Sequence, residues 1–320
     1  MYQFVLAFIV SVFVTFIATQ WLIVNMKEAK ITGIDMNKPS KPEIPEMGGI
    51  AVVVGTTVGV YVLLAVYDIF EIGNPITHFI MASLMTLMGI GMIGMLDDLV
   101  NMKQSIKAVL PFLISAPLGH YVNSVVVFPI IGGIDLGYGI YFIVPLAITC
   151  AANSMNMLEG FNGLGTGLGI IITASMIIMA ILNDVTKGLY FFVPLLGSLV
   201  AFLYFNKYPA KIFPGDTMTL FLGGTIACGA LISDLKFEGL LLLSPMIIEF
   251  FLKLRGNFKG ECYASALEND RLIHKGKIES LTHLVMVKFS VNENRLVQIF
   301  WGFEGVLAIM VIVLSWVHVL

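Results

Sequence analysis

Two adjacent aspartates, Asp97 and Asp98, end a long apolar segment, and Lys107 follows shortly after them. Adjacent carboxylates at such a boundary repel one another and are costly to desolvate without a cation. Mg²⁺ is the natural partner for these hard oxygens when phosphates are nearby. The segment therefore predicts a cation and phosphate site. The alternative is a solvated helix end followed by lysines that only set membrane topology.

A second polar segment contains Asn153, Asn156 and Glu159 at intervals of three residues. This spacing places the three side chains on one face of a helix. Three polar groups on one face indicate a pore, an ion or a ligand. Gly160 and Gly163 follow at once and are predicted to end the helix and expose backbone N–H groups, which bind oxyanions.

Two further loops have the composition of binding loops. Residues 35–49 contain three prolines, which fix an extended path. They end in Gly48-Gly49, which lets the backbone approach another backbone segment or a ligand closely. The alternative for this loop is a stiff basic connector. Residues 206–217 place Asp216 at the start of a helix, where the dipole favours phosphate. The alternative for Asp216 is a simple N-cap.

The elements that must position these loops are membrane helices. The chain has 320 residues, of which 58% are hydrophobic and 12% charged, whereas a soluble domain carries about 25% charged residues. A net charge of −3 excludes a nucleic-acid partner held by bulk charge. The three cysteines are odd in number and far apart in sequence, so they form neither a disulfide framework nor a metal-ligand cluster. The composition predicts a polytopic membrane protein.

Apolar runs of about 20 residues are long enough to cross a bilayer. They predict an all-α fold with ten transmembrane helices, over residues 2–25, 47–67, 74–96, 108–134, 136–158, 160–183, 188–206, 217–233, 239–252 and 296–320. An external hairpin over residues 125–138 is an alternative for the end of the fourth span.

The distribution of basic residues predicts the orientation. With the N-terminus outside, the cytoplasmic loops and their flanks contain 16 of the 18 Lys and Arg residues, as the positive-inside rule requires. Both termini are then external, and all four polar loops face the cytoplasm of a cell-membrane protein. We expect a single domain over residues 1–320, with one long cytoplasmic loop at residues 253–295.

Carboxylates, amides and lysines from four loops on one membrane face are typical of Mg²⁺-assisted phosphoryl transfer. A membrane transporter or lipid flippase with a cytoplasmic-side cation site is the alternative. It would more often place polar groups near mid-membrane. A purely structural scaffold would have no use for Asp216 together with the aspartate pair.

Four segments also carry a family resemblance, in family order between residues 35 and 217: NKPSKPEIPEMGG, GMLDDLVN with Lys107, NSMNMLEGFNGL and FNKYPAKIFPGDT. The chain resembles the polyprenyl-phosphate N-acetylhexosamine-1-phosphate transferases. This family includes the bacterial phospho-MurNAc-pentapeptide translocase and the eukaryotic dolichyl-phosphate GlcNAc-1-phosphotransferase. IPEMGG and Asn162 favour the dolichyl-phosphate branch in an archaeal-like form. Ten spans with external termini also fit.

The resemblance implies the substrates and the cofactor. UDP-N-acetylhexosamine would be the donor, with GlcNAc favoured, and a polyprenyl or dolichyl phosphate would be the acceptor, in a protein that often forms homodimers. Asp216 and Asn156 would hold Mg²⁺, and Lys107 would hold a phosphate. Asp97 and Asp98 are the aspartate pair that the family gives to metal binding, to deprotonation of the lipid phosphate or to nucleophilic attack.

The remaining site residues also follow from the resemblance. Met36, Asn162 and Phe213 would form the uridine pocket, with Glu46 close to it, and Asn153 and Glu159 are expected to bind substrate. The family carries a histidine- and arginine-rich motif in its last long loop, and this chain departs from that motif. Stand-ins for the pyrophosphate and sugar contacts are Arg271, His274 and Lys275.

The expected reaction produces polyprenyl-diphospho-HexNAc and UMP, as the first membrane step of N-glycan or surface-glycan synthesis. A phosphomonoester is largely dianionic at neutral pH, so its attack needs no strong base. We therefore favour single displacement, with Asp98 positioning or weakly deprotonating the acceptor. A covalent phospho-aspartate at Asp97 or Asp98 is the rival mechanism.

Overall fold

The structure, a computed structural model, describes residues 2–70, 77–128, 132–258, 260–269 and 271–317. Helices dominate this part of the chain. In chain order they are α1 (Tyr2–Glu28), α2 (Gly49–Ile69), α3 (Thr77–Val100), α4 (Gln104–Ser115), α5 (Ile140–Leu158), α6 (Leu164–Leu182), α7 (Leu189–Asn206), α8 (Gly215–Ile232), α9 (Lys236–Leu242), α10 (Ser244–Arg255), α11 (Leu281–Lys288) and α12 (Glu293–Trp316).

Three small antiparallel hairpins lie between the helices. They pair β1 (Thr32–Ile34) with β2 (Glu43–Pro45), β3 (Val125–Phe128) with β4 (Gly132–Asp135), and β5 (Ala266–Glu268) with β6 (Arg271–Ile273). The described part of the chain is therefore mostly helical, as predicted, and its strands lie in the connections between helices. The predicted hairpin over residues 125–138 is confirmed, although its residues 129–131 lie outside the described residues.

Within the described residues, eight helices are long and apolar enough to cross a membrane: α1, α2, α3, α5, α6, α7, α8 and α12. The chain is thus a multi-pass membrane protein. Each of these eight helices contains most of the residues of one predicted span. Their lengths suit a membrane crossing, because a helix of about 20 apolar residues matches the thickness of the bilayer core.

Two of the ten predicted spans are built differently. In place of a helix over residues 108–134, α4 ends at Ser115 and a 3₁₀ turn (Ala116–His120) leads into the β3–β4 hairpin. Pro117, which has no backbone N–H, lies at the start of that turn. In place of the ninth span, α9 and α10 are separate helices that meet at Leu243, because Pro245 begins a new helix there.

The predicted loop over residues 253–295 also contains regular structure. The β5–β6 hairpin and α11 lie within it, and α12 begins at Glu293, earlier than the predicted residue 296. Polar caps fix these helix starts. Ser280 Oγ accepts a hydrogen bond from the Thr282 N–H at 3.2 Å, and Asn292 Oδ1 accepts one from Arg295 N–H at 3.0 Å.

The centre of the fold is α8, in which every residue from Thr217 to Ile232 is buried. It packs against α3 and α5. Glycines allow the close approach: a Cβ at Gly94 of α3 would meet the Asp216–Thr217 backbone, and one at Gly223 would meet the backbone of α5 at Ala151. This packing brings the end of α3 and the start of α8 to one place.

Candidate active site

The first and fourth polar loops are joined through their backbones. Phe213 N–H donates to Pro45 O at 2.8 Å, Gly48 N–H to Phe213 O at 2.9 Å and Gly49 N–H to Pro214 O at 2.8 Å. A Cβ at Gly49 would collide with the backbone of α8 and of Pro214. The glycine pair predicted to permit close approach therefore permits the contact between these two loops.

Asp98 caps helix α8 from the end of α3. Its Oδ1 accepts a hydrogen bond from the Asp216 N–H at 2.7 Å, and its Oδ2 accepts from Thr217 N–H at 3.1 Å and Thr217 Oγ1 at 2.6 Å. Gly215 allows this approach with a left-handed φ of +67°, and a Cβ there would meet the Asp98 carboxylate. The alternative in which Asp216 is only an N-cap is wrong, because Asp98 supplies the capping oxygens.

Lys107 lies at the centre of the polar cluster. It is buried, and its Nζ forms ion pairs with Asp97 Oδ2 at 2.7 Å and with Asp216 Oδ2. The Asn156 amide fits its surroundings when its oxygen accepts from Lys107 Nζ at 2.7 Å and its nitrogen donates to Asp216 Oδ1 at 3.0 Å. The structure thus brings together the predicted catalytic and metal-binding residues.

A cavity of about 240 Å³, the main cavity, opens beside this cluster. It is lined by predicted site residues and by others that sequence reasoning did not assign. The predicted residues are Met36, Glu46, Asn156, Glu159, Asn162, Phe213 and Asp216, and the others include Asp35, Phe161, Asn206 and Tyr263.

The two glutamates of the main cavity are held in low-dielectric surroundings. Burial raises the pKa of Glu159 to about 8, although a hydrogen bond from the Gly165 backbone opposes the shift. Burial also raises the pKa of Glu46, and the nearby charge of Asp98 adds to that effect. Neutral Glu159 can donate a hydrogen bond to a polar ligand in the cavity.

The shared helix face predicted for Asn153, Asn156 and Glu159 is wrong in part. Helix α5 ends at Leu158, and the backbone of Glu159 is already extended, so Glu159 does not continue the helical spacing of Asn153 and Asn156. Glu159 therefore lines the main cavity, while Asn153 Nδ2 donates to Thr149 O at 2.9 Å and lies beside a second cavity. Asn156 lines both cavities.

A hydrogen-bond network fixes Asn162, the residue that the resemblance gives to uridine. Its backbone N–H donates to Glu293 Oε1 at 2.9 Å and its Nδ2 to Asp35 Oδ2 at 3.1 Å. Lys38 pairs with Asp35 and, at 3.5 Å, with Glu293. Asp35 and Lys38 belong to the first polar loop, so the sequence could have indicated them as site residues. Glu293 is distant from these loops in sequence, and no motif marked it as a site residue.

The three predicted stand-ins of the last loop do not line the main cavity. Arg271 Nη1 donates to Ser290 Oγ at 3.1 Å, and the His274 ring stacks on the His283 ring with centroids 3.6 Å apart. Lys275 pairs with Glu268 at 3.6 Å. Their contact with substrate stays a prediction.

Another part of the same loop reaches the main cavity. Tyr263 lines the cavity, and its neighbour Cys262 donates through Sγ to Glu159 O at 2.9 Å. Gly160 allows this contact, because a Cβ there would meet Cys262 Sγ. The last long loop therefore reaches the main cavity through Cys262 and Tyr263. Neither residue is a histidine or carries a charge, so the sequence did not indicate a substrate contact there.

The second cavity has a volume of about 190 Å³ and shares Asn156 with the main cavity. Its lining is Gln104, Lys107, Asn153, Asn156, Met157, Lys253, Phe258 and Gly260. A third depression, the apolar groove, has a volume of about 270 Å³ and is lined mainly by α5, α8, α9 and α10, including Ala147, Cys150, Ala151, Leu240, Ile247, Phe250 and Phe251.

Two findings place the chain among known proteins. The sequence profile of glycosyl transferase family 4 matches residues 80–234. A protein of Saccharolobus solfataricus, provisionally named UDP-N-acetylglucosamine–dolichyl-phosphate N-acetylglucosaminephosphotransferase, is 38% identical over 315 residues, which are 97% of this chain and 96% of the relative. The chain belongs to glycosyl transferase family 4.

Two further relatives are also named as phosphosugar transferases. A Sulfolobus acidocaldarius protein with the same provisional name is 35% identical over 98% of this chain and 97% of its own length. The phospho-N-acetylmuramoyl-pentapeptide-transferase of Clostridium perfringens is 30% identical over 65% of this chain and 66% of its own length. The predicted resemblance and its archaeal-like branch are confirmed, and the relatives are transferases rather than transporters or flippases.

Few groups near the main cavity could serve as ligands of the Mg²⁺ ion that the resemblance implies. In the described ranges, no three His, Cys, Asp or Glu side chains are grouped so that they alone could hold a metal ion. Mg²⁺ typically takes one or two carboxylates, keeps several waters and completes its shell with substrate phosphates. Asp216 and the Asn156 amide, at the edge of the main cavity, suit that mode of binding.

Proposed function

We propose that this protein transfers GlcNAc-1-phosphate from UDP-GlcNAc to a dolichyl-type polyprenyl phosphate and releases UMP. The observation that carries the proposal is that Lys107, Asn156 and Asp216 join the walls of two polar cavities. Asn156 lines both cavities, and Lys107, which lines the second, pairs with Asp216, which lines the main cavity. A transferase of this kind must hold the attacking phosphate and the reacting phosphorus about 3–3.5 Å apart, beside one charged cluster. The names of the two archaeal relatives support the same donor and acceptor.

The donor would occupy the main cavity. Phe213 and Met36 offer apolar surface to the uracil ring, and Asn162 is held rigidly by Asp35 and Glu293. The diphosphate would then extend toward Asp216 and Lys107. The charge of Lys107 suits a phosphate, which would compete with Asp216 for the ammonium group.

Mg²⁺ would be held by Asp216 and Asn156 together with the diphosphate. When bound, it offsets the negative charge that develops on the phosphates. Because Lys107 pairs with Asp216 in this structure, we expect Mg²⁺ alone to bind weakly and UDP to strengthen its binding. Titration of Mg²⁺ by isothermal calorimetry, with and without UDP, tests this; equal affinity in both titrations would contradict it.

In the chemical step, an oxygen of the acceptor phosphate attacks the β-phosphorus of UDP-GlcNAc and forms a new P–O bond. The bond from that phosphorus to the bridging oxygen breaks, and UMP leaves with the electron pair. The sugar C1–O bond is not cut. Single displacement is favoured because the acceptor phosphate is already largely dianionic and because both oxygens of Asp98 accept hydrogen bonds from α8.

The cytoplasmic orientation of this site, the ten membrane crossings with external termini and the homodimer belong to the proposal. Ser40 and Asn123 are both exposed, and in the proposed topology they would lie on opposite sides of the membrane. In a cysteine-free background, Ser40→Cys is expected to react with an impermeant maleimide only in inside-out vesicles, and Asn123→Cys only in right-side-out vesicles. The reverse pattern would invert the topology.

The deciding experiment is a transfer assay in detergent with purified protein, dolichyl phosphate, Mg²⁺ and radiolabelled UDP-GlcNAc. Label in the organic phase, with an equal amount of UMP and complete loss on addition of EDTA, is the expected result. UMP release from UDP-GalNAc alone would keep the reaction and change the sugar. Absence of UMP with every UDP-sugar would reject the proposed function.

A further inference from the structure

A cavity of about 400 Å³, the arginine cavity, lies at the start of the last membrane helix. Its lining combines two guanidinium groups with two amides and a hydroxyl, and comprises Asn269, Arg271, Ser290, Val291, Asn292 and Arg295. No carboxylate among the described residues lines it. Guanidinium N–H groups form forked hydrogen bonds with phosphate oxygens. The composition of the arginine cavity therefore fits a phosphate group.

The two arginines keep their charges available to a ligand. Arg271 Nη1 donates to the neutral Ser290 Oγ at 3.1 Å. Across the ranges that the structure describes, neither Arg271 nor Arg295 forms an ion pair. Glu268, which lies opposite Arg271 in the β5–β6 hairpin, pairs with Lys275 instead. Two cations at one cavity repel each other, and a bound anion offsets that repulsion.

The arginine cavity lies where α12 enters the membrane. Arg295 is in the first turn of α12, directly before the apolar run that begins at Leu296. The neighbouring α11 exposes Leu284 and Val287, and the exposed Phe289 follows it. Apolar side chains exposed beside the first turn of a membrane helix suit contact with the bilayer interface. The arginine cavity therefore lies at the level of the lipid headgroups.

The face of α12 that carries Arg295 continues as an exposed apolar surface. Gly302, Val306 and Ile309 lie close to whole turns from Arg295 in a helix of 3.6 residues per turn. Val306 is 70% exposed and Ile309 65% exposed, and nothing lies within 4 Å of a Cβ placed at Gly302. Val306 lies about 16 Å from Arg295 along the helix axis, which is about half the thickness of the bilayer core. An acyl chain of one leaflet can lie along this surface.

We propose that Arg271 and Arg295 bind the phosphate of an anionic membrane phospholipid whose acyl chain lies along the exposed face of α12. Basic pockets beside membrane helices are typical sites for anionic headgroups. A lipid fits better than an acidic soluble protein, because the arginine cavity continues into a helix surface that faces the bilayer. This site is separate from both cavities of the proposed reaction.

The proposed lipid would connect two elements of the fold. Arg271 belongs to the β5–β6 hairpin of the last loop, and Arg295 belongs to α12. The only backbone link between β6 and the segment before α12 that the described residues show is the 2.9 Å hydrogen bond from Leu272 N–H to Val291 O. A phosphate bound by both arginines would add a second link and hold the hairpin close to the membrane surface.

Binding of a fluorescent phosphatidylglycerol to the detergent-solubilised protein, followed by anisotropy, tests the assignment. We expect Arg295→Gln to raise Kd about tenfold and Arg271→Gln/Arg295→Gln to raise it further, because charge-assisted hydrogen bonds are lost. Lys27→Gln/Lys30→Gln, the matched control, removes two exposed positive charges at the end of α1. Its Kd should stay within about twofold of the wild-type value. An equal loss of affinity in this control would overturn the site.

Competition identifies the ligand. Unlabelled phosphatidylglycerol should displace the probe, whereas phosphatidylcholine and inorganic phosphate at the same concentration should not. Displacement by phosphatidylcholine would show that only the apolar surface binds, and displacement by inorganic phosphate would show a site for free anions. Either result would overturn the proposal.

Photolabelling locates the lipid without relying on the fold of a variant. Phosphatidylglycerol with a diazirine in its acyl chain should label α12 around Val306 more strongly than the matching phosphatidylcholine does in the same bilayer. Equal labelling by the two lipids would contradict the proposal. A change of oligomeric state in Arg295→Gln, with the lipid affinity unchanged, would instead make this face a contact between copies of the chain.

The lipid site and the proposed reaction fail separately. A higher KM for dolichyl phosphate in Arg295→Gln would assign the arginine cavity to the acceptor and overturn the phospholipid proposal. A wild-type protein without transfer activity, but with arginine-dependent binding of phosphatidylglycerol, would remove the proposed reaction and keep the lipid site.

Discussion

Asp98 accepts a 2.7 Å hydrogen bond from the backbone N–H of Asp216, so the second residue of the aspartate pair caps the helix that carries the proposed metal ligand. The capping distances leave no oxygen of Asp98 without a donor. Asp98 therefore acts first by fixing the position of Asp216. This relationship favours a positioning role over a covalent phospho-aspartate at this residue.

Asp98→Asn is expected to lose both activity and stability. The asparagine amide would turn an N–H group toward the N–H and hydroxyl donors of Asp216 and Thr217. Loss of such a helix cap lowers the free energy of unfolding by about 1 kcal/mol. Transfer assays and thermal melts measure the two effects. Asp68→Asn, which makes the same substitution at an exposed aspartate near the end of α2, is the control.

A separate measurement distinguishes single from double displacement. Wild-type enzyme incubated with UDP-GlcNAc labelled in the β-phosphate, but without acceptor lipid, is expected to carry no covalent label after denaturation. Recovery of labelled enzyme at Asp97 or Asp98 would establish the covalent route.

Gly215→Ala is expected to abolish activity. The residue has φ +67°, and a new Cβ would meet the Asp98 carboxylate, so both the turn and the cap are disturbed. Gly305→Ala is the matched control, because nothing lies within 4 Å of its Cβ position. Transfer rates of the two variants decide the matter; an active Gly215→Ala would contradict the capping geometry.

The sequence predicted most of the charged cluster because the chemistry of metal and phosphate binding restricts residue types strongly. Asp97, Lys107, Asn156 and Asp216 were all identified, and the structure places them in contact. The pairing of Asp98 with α8 was missed, because capping between helices depends on packing through Gly94 rather than on local sequence.

Helix number was harder to predict than the site. Hydropathy recognises apolar length but not a break within an apolar run, so the fourth and ninth spans appeared as single helices. Pro117 and Pro245 were the available signals. Tyr263 and Glu293 were unpredictable for another reason: tertiary folding brings Tyr263 to the main cavity and Glu293 to Asn162 in the wall of that cavity.

Glu293→Gln is expected to raise KM for UDP-GlcNAc several-fold with a smaller change in kcat. The amide can still accept the Asn162 N–H but weakens the pairing with Lys38, so the nucleotide wall loses rigidity while the charged cluster is untouched. Glu293→Ala should have the larger effect. Steady-state kinetics of both variants test this, and a loss confined to kcat would contradict a role in donor binding.

Glu159 makes stability depend on pH in a defined direction. Burial raises its pKa from 4.5 to about 8 in the folded protein, whereas the unfolded chain has the ordinary value. Between these values the folded state binds more protons than the unfolded state, so the free energy of unfolding falls as pH rises toward about 8. The stabilisation from protonated Glu159 is fully present below the pKa of the unfolded chain, 4.5, and is lost above the pKa of the folded protein, about 8.

Glu159→Gln removes this titration while keeping a neutral side chain of similar shape in the main cavity. Relative to wild type, its Tm should therefore increase progressively between about pH 5 and about pH 9. Its KM for UDP-GlcNAc at neutral pH should stay close to the wild-type value, because the amide resembles the protonated carboxyl. Glu28→Gln, at an exposed position at the end of α1, should follow wild type at every pH. A constant Tm difference between Glu159→Gln and wild type would show that the carboxyl titrates in its ordinary range.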